Sequence, residues 1–204
     1  DGTIFRWSAH ENTVLNKLRE ELLASAAPPP DKDALVNFIE SITSRSVSPK
    51  EKIHGPRTMV DLCDIAEKFY FHPSTKGSNS LKKVLPALMK SSIVLRETYG
   101  KATYGGKGVS LNFVEPIAWW QERDGQVMDP YALLPPVFDD VSRDETDAAD
   151  EGLSEELKEG GAAMAAYARL QFEDLSDTRR ASIESALLRY CELDTLAMVM
   201  AIQA

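Results

Sequence analysis

The sequence lacks three features that mark specialised classes of protein. No stretch approaches the roughly 18–20 uninterrupted apolar residues that a membrane-spanning helix needs. There are only two cysteines, Cys63 and Cys191, which are too few for a disulfide framework and have no metal-site spacing. Basic residues are in the minority, with 23 lysines and arginines against 32 aspartates and glutamates. These shortages argue against a membrane helix, a disulfide-stapled secreted domain and an extended basic nucleic-acid surface.

The beginning of the sequence lacks both a methionine and a signal peptide. The segment DGTIFRWSAH has no basic region followed by an apolar one, which is the pattern of a secretory leader. It starts in what reads as a strand, so we expect the 204 residues to be cut from a longer protein. Both cysteines lie in apolar surroundings and are interpreted as reduced core thiols. We therefore expect a cytoplasmic protein with no membrane partner.

The composition is otherwise ordinary, with 43% hydrophobic and 27% charged residues, and the length suits one large domain or two small ones. Alternation predicts a short strand over 3–8, and apolar periodicity predicts an amphipathic helix over 9–25. Ser8 is a candidate N-cap with Glu11 at capping-box spacing, so Glu11 has a purely structural explanation. Glu11 also stands at a strand-to-helix junction, where open α/β proteins place their sites.

The remaining chain alternates predicted helices with polar or irregular segments. Helices are expected over 31–44, 63–70, 80–89, 160–172 and 177–202, a short strand over 58–62 and a loop over 44–57. Residues 91–137 are the least periodic, and Trp119 and Trp120 are expected to anchor them to the core rather than to form a binding surface. The acidic run 139–159 has few large apolar residues and is expected to be a mobile linker.

One helix near the end, RYCELDTLAMVMAI, carries the most unusual chemistry in the sequence. It is apolar on nearly every side and is therefore expected to be buried. Tyr190 and Asp194 are four residues apart, so they share one face of this helix. An ionised carboxylate there is unfavourable unless it is paired, hydrogen-bonded or bound to a cation. On spacing alone, a structural acid that caps a helix or pairs with an arginine is the simpler interpretation of Asp194.

These residues nevertheless resemble a known set of motifs. Tyr190-x-x-x-Asp194 resembles the third motif of the DEDD superfamily of 3′–5′ exonucleases in its tyrosine variety. The strand that leads to Glu11 is similar to the second motif, with glutamate in place of aspartate. The segment MVDLCDIAEKFY and the Ser-Leu-Lys helix start that ends at Lys82 are similar to the elements that follow in that superfamily.

A closer resemblance is to a ribonuclease-H-like bacterial family defined as a domain of unknown function, often found in RecB-like nuclease proteins. The similar segments are GSNSLKKVLPAL, DPYALLPP, GGAAMAAYARLQF and LLRYCELDTLAMVM, which together span most of 77–200. The resemblance implies an α-rich α/β fold, a partial ribonuclease-H-like domain with a mixed sheet flanked by helices. Residues 1–204 would be the C-terminal part of that domain, with a loop-rich insertion over about 91–159 and the first strands upstream.

The resemblance also implies a metal-dependent nuclease site. Glu11 and Asp194 would be ligands of two Mg²⁺ or Mn²⁺ ions, and Tyr190 would orient the attacking water. Lys82 and His10 would contact substrate phosphate, although a lysine at a helix start or a lone histidine is more often a surface residue. An intact site further requires Glu11 and Asp194 to converge in the fold.

One motif of the superfamily, an Asp-x-Glu on the first strand, is absent from the sequence. We therefore expect upstream residues of the same chain to complete both the sheet and the site. On that basis the segment alone would be inactive, and the longer protein would be a 3′–5′ exonuclease acting on DNA or RNA. The alternative is a catalytically degenerate nuclease-like module that binds nucleic acid or another partner without cleaving it.

Overall fold

The structure is a computed structural model that describes residues 2–48, 51–134 and 155–204. Over these ranges the protein is a helix-rich α/β chain, and its strands form three two-stranded sheets rather than one mixed sheet. The chain divides into two compact units, Asp1–Phe71 and His72–Ala204. None of the helices in the described ranges combines the length and the apolar character of a membrane span.

The first unit mixes short strands with three helices. In chain order its described elements are β1 (Phe5–Arg6), α1 (His10–Ala24), α2 (Lys32–Ile42), β2 (Ser44–Ser48), β3 (Glu51–His54), β4 (Val60–Asp61) and α3 (Leu62–Phe69). β1 and β4 pair in parallel, with Phe5 opposite Val60 and Arg6 opposite Asp61. Each strand of this pair leads into a helix, so α1 and α3 both begin at its carboxyl end.

Asp61 fixes the carboxyl end of the parallel pair. Its carboxylate forms an ion pair with Arg6 at 2.9 Å and accepts a hydrogen bond from the backbone N–H of Ser8 at 2.9 Å. It also caps α3 by accepting from the backbone N–H of Cys63 at 3.0 Å. Arg6 donates in addition to the carbonyl of Ser8. Asp61 is therefore a structural acid that joins both strands to the start of α3.

The core of the first unit follows the predicted periodicity. Its buried apolar residues come from α2, from the residue that precedes β4 and from α3: Val36, Ile39, Ile42, Met59, Leu62 and Ala66. The three residues of α2 recur every third position, which places them on one face of a helix. The helices expected over 31–44 and 63–70 are accordingly confirmed at Lys32–Ile42 and Leu62–Phe69.

Two expectations for the first unit are wrong. The N-cap of α1 is Ala9, without a side-chain cap hydrogen bond, so Ser8 and Glu11 do not form a capping box. Ser8 instead takes a positive φ of 68°, which turns the chain between β1 and α1. Residues 44–57 are not a plain loop, because β2 and β3 pair as an antiparallel hairpin with a bulge. The exposed residues of this hairpin give little of the apolar alternation that predicts strands.

The second unit is built around the last helix. Its described elements are α4 (Leu81–Ser91), α5 (Ile93–Tyr99), β5 (Glu122–Arg123), β6 (Gln126–Val127), α6 (Glu155–Phe172) and α7 (Asp177–Gln203), with 3-10 turns at Pro73–Thr75 and Pro130–Leu133. Ser176 caps α7 by accepting a hydrogen bond from the backbone N–H of Arg179, as the sequence predicts. α7 packs against α4, α5 and α6, so it is the common partner of the other helices.

The core of the second unit joins these helices to the loop that follows α5. Its largest fully buried apolar side chains are Trp119, Leu85, Met89, Leu95, Leu193 and Met200. Trp119 packs edge-on against Phe113, with ring centres 5.1 Å apart. The indole N–H of Trp120 donates to the carbonyl of Met89 at 2.8 Å. Both tryptophans therefore serve packing, as predicted.

Several predicted boundaries in the second unit change. α5 lies within 91–137 and has only seven residues, too few for a clear apolar period. α4 continues through Pro86 to Ser91. α6 begins at Glu155, so the last part of the acidic run is helical rather than a linker. Residues 139–154 lie outside the described ranges, and their mobility stays a prediction.

The expectation that the last helix is buried on nearly every side is also wrong. Leu193 and Met200 are fully buried, but Leu188, Val199 and Ile202 are exposed. Neither cysteine forms a disulfide, and Cys191 on this helix is exposed rather than a core thiol. Burial on α7 therefore follows one face, although the sequence is apolar on several.

Glu192 of α7 holds the glycine-rich loop that follows α5. It accepts hydrogen bonds from the hydroxyl of Tyr104 at 2.8 Å, and from the backbone N–H and side-chain amide of Asn112 at 3.1 and 2.6 Å. Burial by itself would raise the pKa of Glu192, but hydrogen bonds from Ser110, Tyr104 and Asn112 outweigh it and lower the pKa. The folded state therefore stabilises the ionised form.

Replacing Glu192 by alanine is expected to lower the free energy of unfolding by about 2 kcal/mol at neutral pH, because its hydrogen-bond donors lose a charged acceptor. A carboxyl whose pKa falls on folding stabilises the protein above its ordinary pKa of 4.5, and this stabilisation is lost as the pH drops through the folded value. Urea unfolding at pH 7 and at about pH 3 measures both effects. The control is Glu184→Ala, an exposed glutamate on the same helix, with an expected change within about 0.5 kcal/mol. An equal effect of Glu192→Ala at both pH values would contradict this role.

Candidate functional site

Three of the predicted site residues lie in the second unit, on two helices that pack together. Lys82 stands in the first turn of α4, whereas Tyr190 and Asp194 are one turn apart on α7. The ammonium of Lys82 lies 4.8 Å from the ring centre of Tyr190. All three side chains are half-buried, so they are fixed by packing and still reach the surface.

Tyr131, to which the sequence assigned no role, completes this group. Its hydroxyl donates to Asp194 Oδ1 at 2.6 Å. Its ring centre lies 6.2 Å from that of Tyr190 and 5.6 Å from the ammonium of Lys82. We refer to these four residues (Lys82, Tyr131, Tyr190 and Asp194) as the α4–α7 cluster.

The backbone around Tyr131 is held by a local cap. The side chain of Asp129 accepts from the backbone N–H of Tyr131 at 3.0 Å and begins the 3-10 turn Pro130–Leu133. Proline at the first position of this turn fixes the chain direction further. The position of the Tyr131 backbone is therefore fixed by neighbouring residues, whereas the carboxylate that its side chain binds lies 63 positions away in the sequence.

The electrostatics of the cluster keep Tyr131 neutral. Burial raises the pKa of Tyr131 well above its usual range, and the negative charge of Asp194 and the hydrogen bond to it raise the pKa further. Tyr131 is consequently a hydrogen-bond donor throughout the physiological pH range. A hydroxyl that donates to a carboxylate at 2.6 Å forms a short, charge-assisted bond, which fixes the orientation of Asp194.

The other two predicted site residues lie in the first unit, at the start of α1. His10 is the first residue of that helix and is exposed, whereas Glu11 is half-buried. Glu11 Oε2 is buried and has no hydrogen-bond partner in the described part of the chain. A buried carboxylate oxygen without a partner is unfavourable, so this position suits a cation or a donor group. The predicted site residues thus form two sets, one in each unit, and the convergence of Glu11 with Asp194 stays a prediction.

The side chains present fit divalent metal ions only in part. Glu11 and Asp194 offer the hard oxygen ligands that Mg²⁺ and Mn²⁺ prefer, and the orphaned oxygen of Glu11 suits a cation. Over the described ranges, however, no three or more His, Cys, Asp or Glu side chains group together as a site that could hold an ion. The ions of the resembled superfamily would therefore need ligands in addition to these two carboxylates.

Comparisons with known proteins identify no relative. No protein-family model, curated protein sequence or solved structure matches the chain. The resemblance to the DEDD exonucleases, and to the ribonuclease-H-like family of unknown function, therefore rests on the motifs in the sequence and stays a prediction.

Proposed function

We propose that the chain carries part of the active site of a metal-dependent 3′–5′ exonuclease that hydrolyses nucleic-acid phosphodiesters. The α4–α7 cluster is the observation that carries the proposal. It unites a lysine that can bind phosphate with the tyrosine and aspartate of the resembled third motif. One cation, one carboxylate and two phenols from three separate segments meet there in a half-buried group. Such groups of titratable side chains are typical of functional sites.

The parallel pair of β1 and β4 supports the ribonuclease-H-like part of the proposal. Each strand is only two residues long, and parallel pairs occur almost only within larger covered sheets. We therefore propose that this pair belongs to a larger sheet. Glu11 lies in the first turn of the helix that follows β1, and the carboxyl ends of strands are where α/β folds place their sites.

Each residue of the cluster has a distinct role in the proposed reaction. Lys82 binds a non-bridging oxygen of the scissile phosphate, and Tyr190 orients the attacking water. Tyr131 holds the carboxylate of Asp194 in one orientation through its hydroxyl. Mg²⁺ or Mn²⁺ ions bound by Asp194 and Glu11 would activate water and stabilise the leaving oxygen.

A nuclease-like module that binds nucleic acid without cleaving it is the second candidate. The observation in its favour is the hydrogen bond from Tyr131 to Asp194, because it engages a carboxylate oxygen that a metal ion would otherwise use. The two candidates differ in whether Asp194 is needed for turnover.

Release of mononucleotides from single-stranded and duplex DNA and RNA tests the proposal. We propose that a longer protein supplies the Asp-x-Glu motif upstream of these residues, and we expect that protein to be active with Mg²⁺ or Mn²⁺ and inactive with a chelator. The 204-residue chain alone is expected to be inactive, because two carboxylates are too few for a two-metal site. Hydrolysis that persists in chelator, or a longer protein that releases no nucleotide, would refute the proposal.

A further inference from the structure

A polar groove lies in the first unit between α1 and the hairpin of β2 and β3. Its volume is about 550 Å³, within the range of sites that take ligands. Every side chain that lines it is polar or charged, and none is aromatic. Its four cationic side chains are Lys17, Arg19, Arg45 and Lys52. Such a lining suits a charged, hydrated ligand better than an apolar one.

The groove is preformed, because its two walls are hydrogen-bonded to each other. Asn12 donates to the carbonyl of Ser44 at 2.9 Å and accepts from its backbone N–H at 2.8 Å. Asn16, one turn later on α1, donates to the same carbonyl at 3.0 Å. A ligand would therefore meet walls that need little ordering on binding.

The two arginines are held in place by one carboxylate. Glu40 Oε1 lies 2.6 Å from Arg19 and 3.0 Å from Arg45. The hydrogen bond from Arg19 lowers the pKa of Glu40, although burial opposes it, so Glu40 is ionised at neutral pH. A guanidinium has five N–H donors, and a single shared carboxylate oxygen cannot engage all of them. Both arginines therefore keep donors for a second anion.

The local charge of the groove is opposite in sign to that of the chain. Its four cations face the carboxylate of Glu20 in the lining and that of Glu40 beside it, which leaves a net charge of +2. The chain as a whole has a formal net charge of −9. Lys17 and Lys52 are exposed on opposite walls, where they are available to an incoming anion.

We propose that this groove binds the phosphate groups of a nucleic-acid strand without reading its bases. The choice of a nucleic acid rests on the proposed function, whereas the affinity for phosphate rests on the groove itself. Clustered lysine and arginine side chains provide sequence-independent phosphate contacts. The lining contains no aromatic residue and therefore offers no aromatic platform on which bases stack.

The test is binding of a fluorescent 20-nucleotide oligothymidine to the 204-residue chain in chelator, followed by anisotropy over a range of salt concentrations. In the double variant Lys17→Ala/Lys52→Ala the affinity for the strand is expected to fall about 10-fold at low salt. The slope of log K against log salt is expected to become shallower by about 1.4, because each lost phosphate contact on a single strand contributes about 0.7. The matched control is Lys68→Ala/Lys101→Ala, which removes two exposed lysines outside the groove and is expected to bind like wild type.

The outcomes separate this site from the proposed nuclease. Because the chelator prevents hydrolysis, loss of binding in the groove variant supports the site even where the longer protein proves inactive. Equal affinity and salt slope in wild type and groove variant would overturn the inference, as would wild type that binds no oligothymidine at low salt. The source of the phosphate is tested by competition between the labelled strand and either unlabelled strand or thymidine monophosphate at the same phosphate concentration. If thymidine monophosphate competes as effectively as the unlabelled strand, the groove is a site for small phosphates and the assignment to a strand is overturned.

Discussion

Replacing Asp194 by asparagine is expected to abolish metal-dependent hydrolysis by the longer protein while the fold is retained. Asparagine has the shape of aspartate and its amide oxygen still accepts a hydrogen bond from the hydroxyl of Tyr131, although a neutral acceptor makes this bond longer than the 2.6 Å found with aspartate. The negative charge that a hard divalent ion requires is lost. We expect kcat to fall by more than about 10³-fold, beyond the loss caused by one missing transition-state donor.

Tyr190→Phe is the graded companion to this variant. It removes one hydroxyl and keeps the ring that lies 4.8 Å from the ammonium of Lys82. The expected loss is about 10²-fold, because a group that positions water contributes less than a metal ligand. Thermal unfolding of both variants serves as the control for folding. Asp194→Asn protein that cleaves as fast as wild type would make Asp194 a structural acid and favour the binding module.

Truncation of Leu193 to alanine is expected to be strongly destabilising, although the residue takes no part in the chemistry. Its side chain is 0% exposed, and it stands next to Asp194 on the helix that carries both motif residues. Loss of a buried leucine side chain lowers the free energy of unfolding by about 3 kcal/mol through lost transfer energy and the cavity left behind. For a chain of this size that corresponds to a fall in midpoint temperature of roughly 6–12 °C.

Leu188→Ala on the same helix is the matched control. It removes the same atoms, but Leu188 is 54% exposed. Its expected effect is within about 0.5 kcal/mol, as for other exposed positions. Differential scanning calorimetry of both variants measures the contrast. Similar midpoints for the two variants would show that α7 is not packed as described, and the geometry of the α4–α7 cluster would then lose its support.

The sequence predicted those helices in which apolar spacing and caps agree. α2 shows one buried face, and α7 begins at Ser176 as the capping pattern indicates. Elements whose stability comes from outside the local pattern were missed. The β2–β3 hairpin is largely exposed, and α5 is too short to display a period. Apolar residues on several faces of the last helix predicted complete burial, whereas packing partners cover only one face.

The same distinction applies to the candidate site. Tyr190 and Asp194 share a face because of their spacing, which the sequence contains directly. Tyr131 reaches Asp194 from a short 3-10 turn 63 positions earlier, and no local pattern relates a residue of that turn to a distant helix. The cations of the groove are likewise split between α1 and a hairpin that was predicted as a loop. Only the folded chain places such residues together.

A crystal structure with Mn²⁺ of the longer protein, in which the Asp-x-Glu motif completes the ligand set, measures most directly whether Glu11 and Asp194 form one site. Carboxylates that share two ions about 3.5–4 Å apart, with oxygen–metal distances near 2 Å, should approach within roughly 8 Å of each other. We predict that separation, with anomalous Mn²⁺ density between the two side chains. Carboxylates more than about 12 Å apart would be beyond the reach of two shared ions and would contradict the proposed nuclease site.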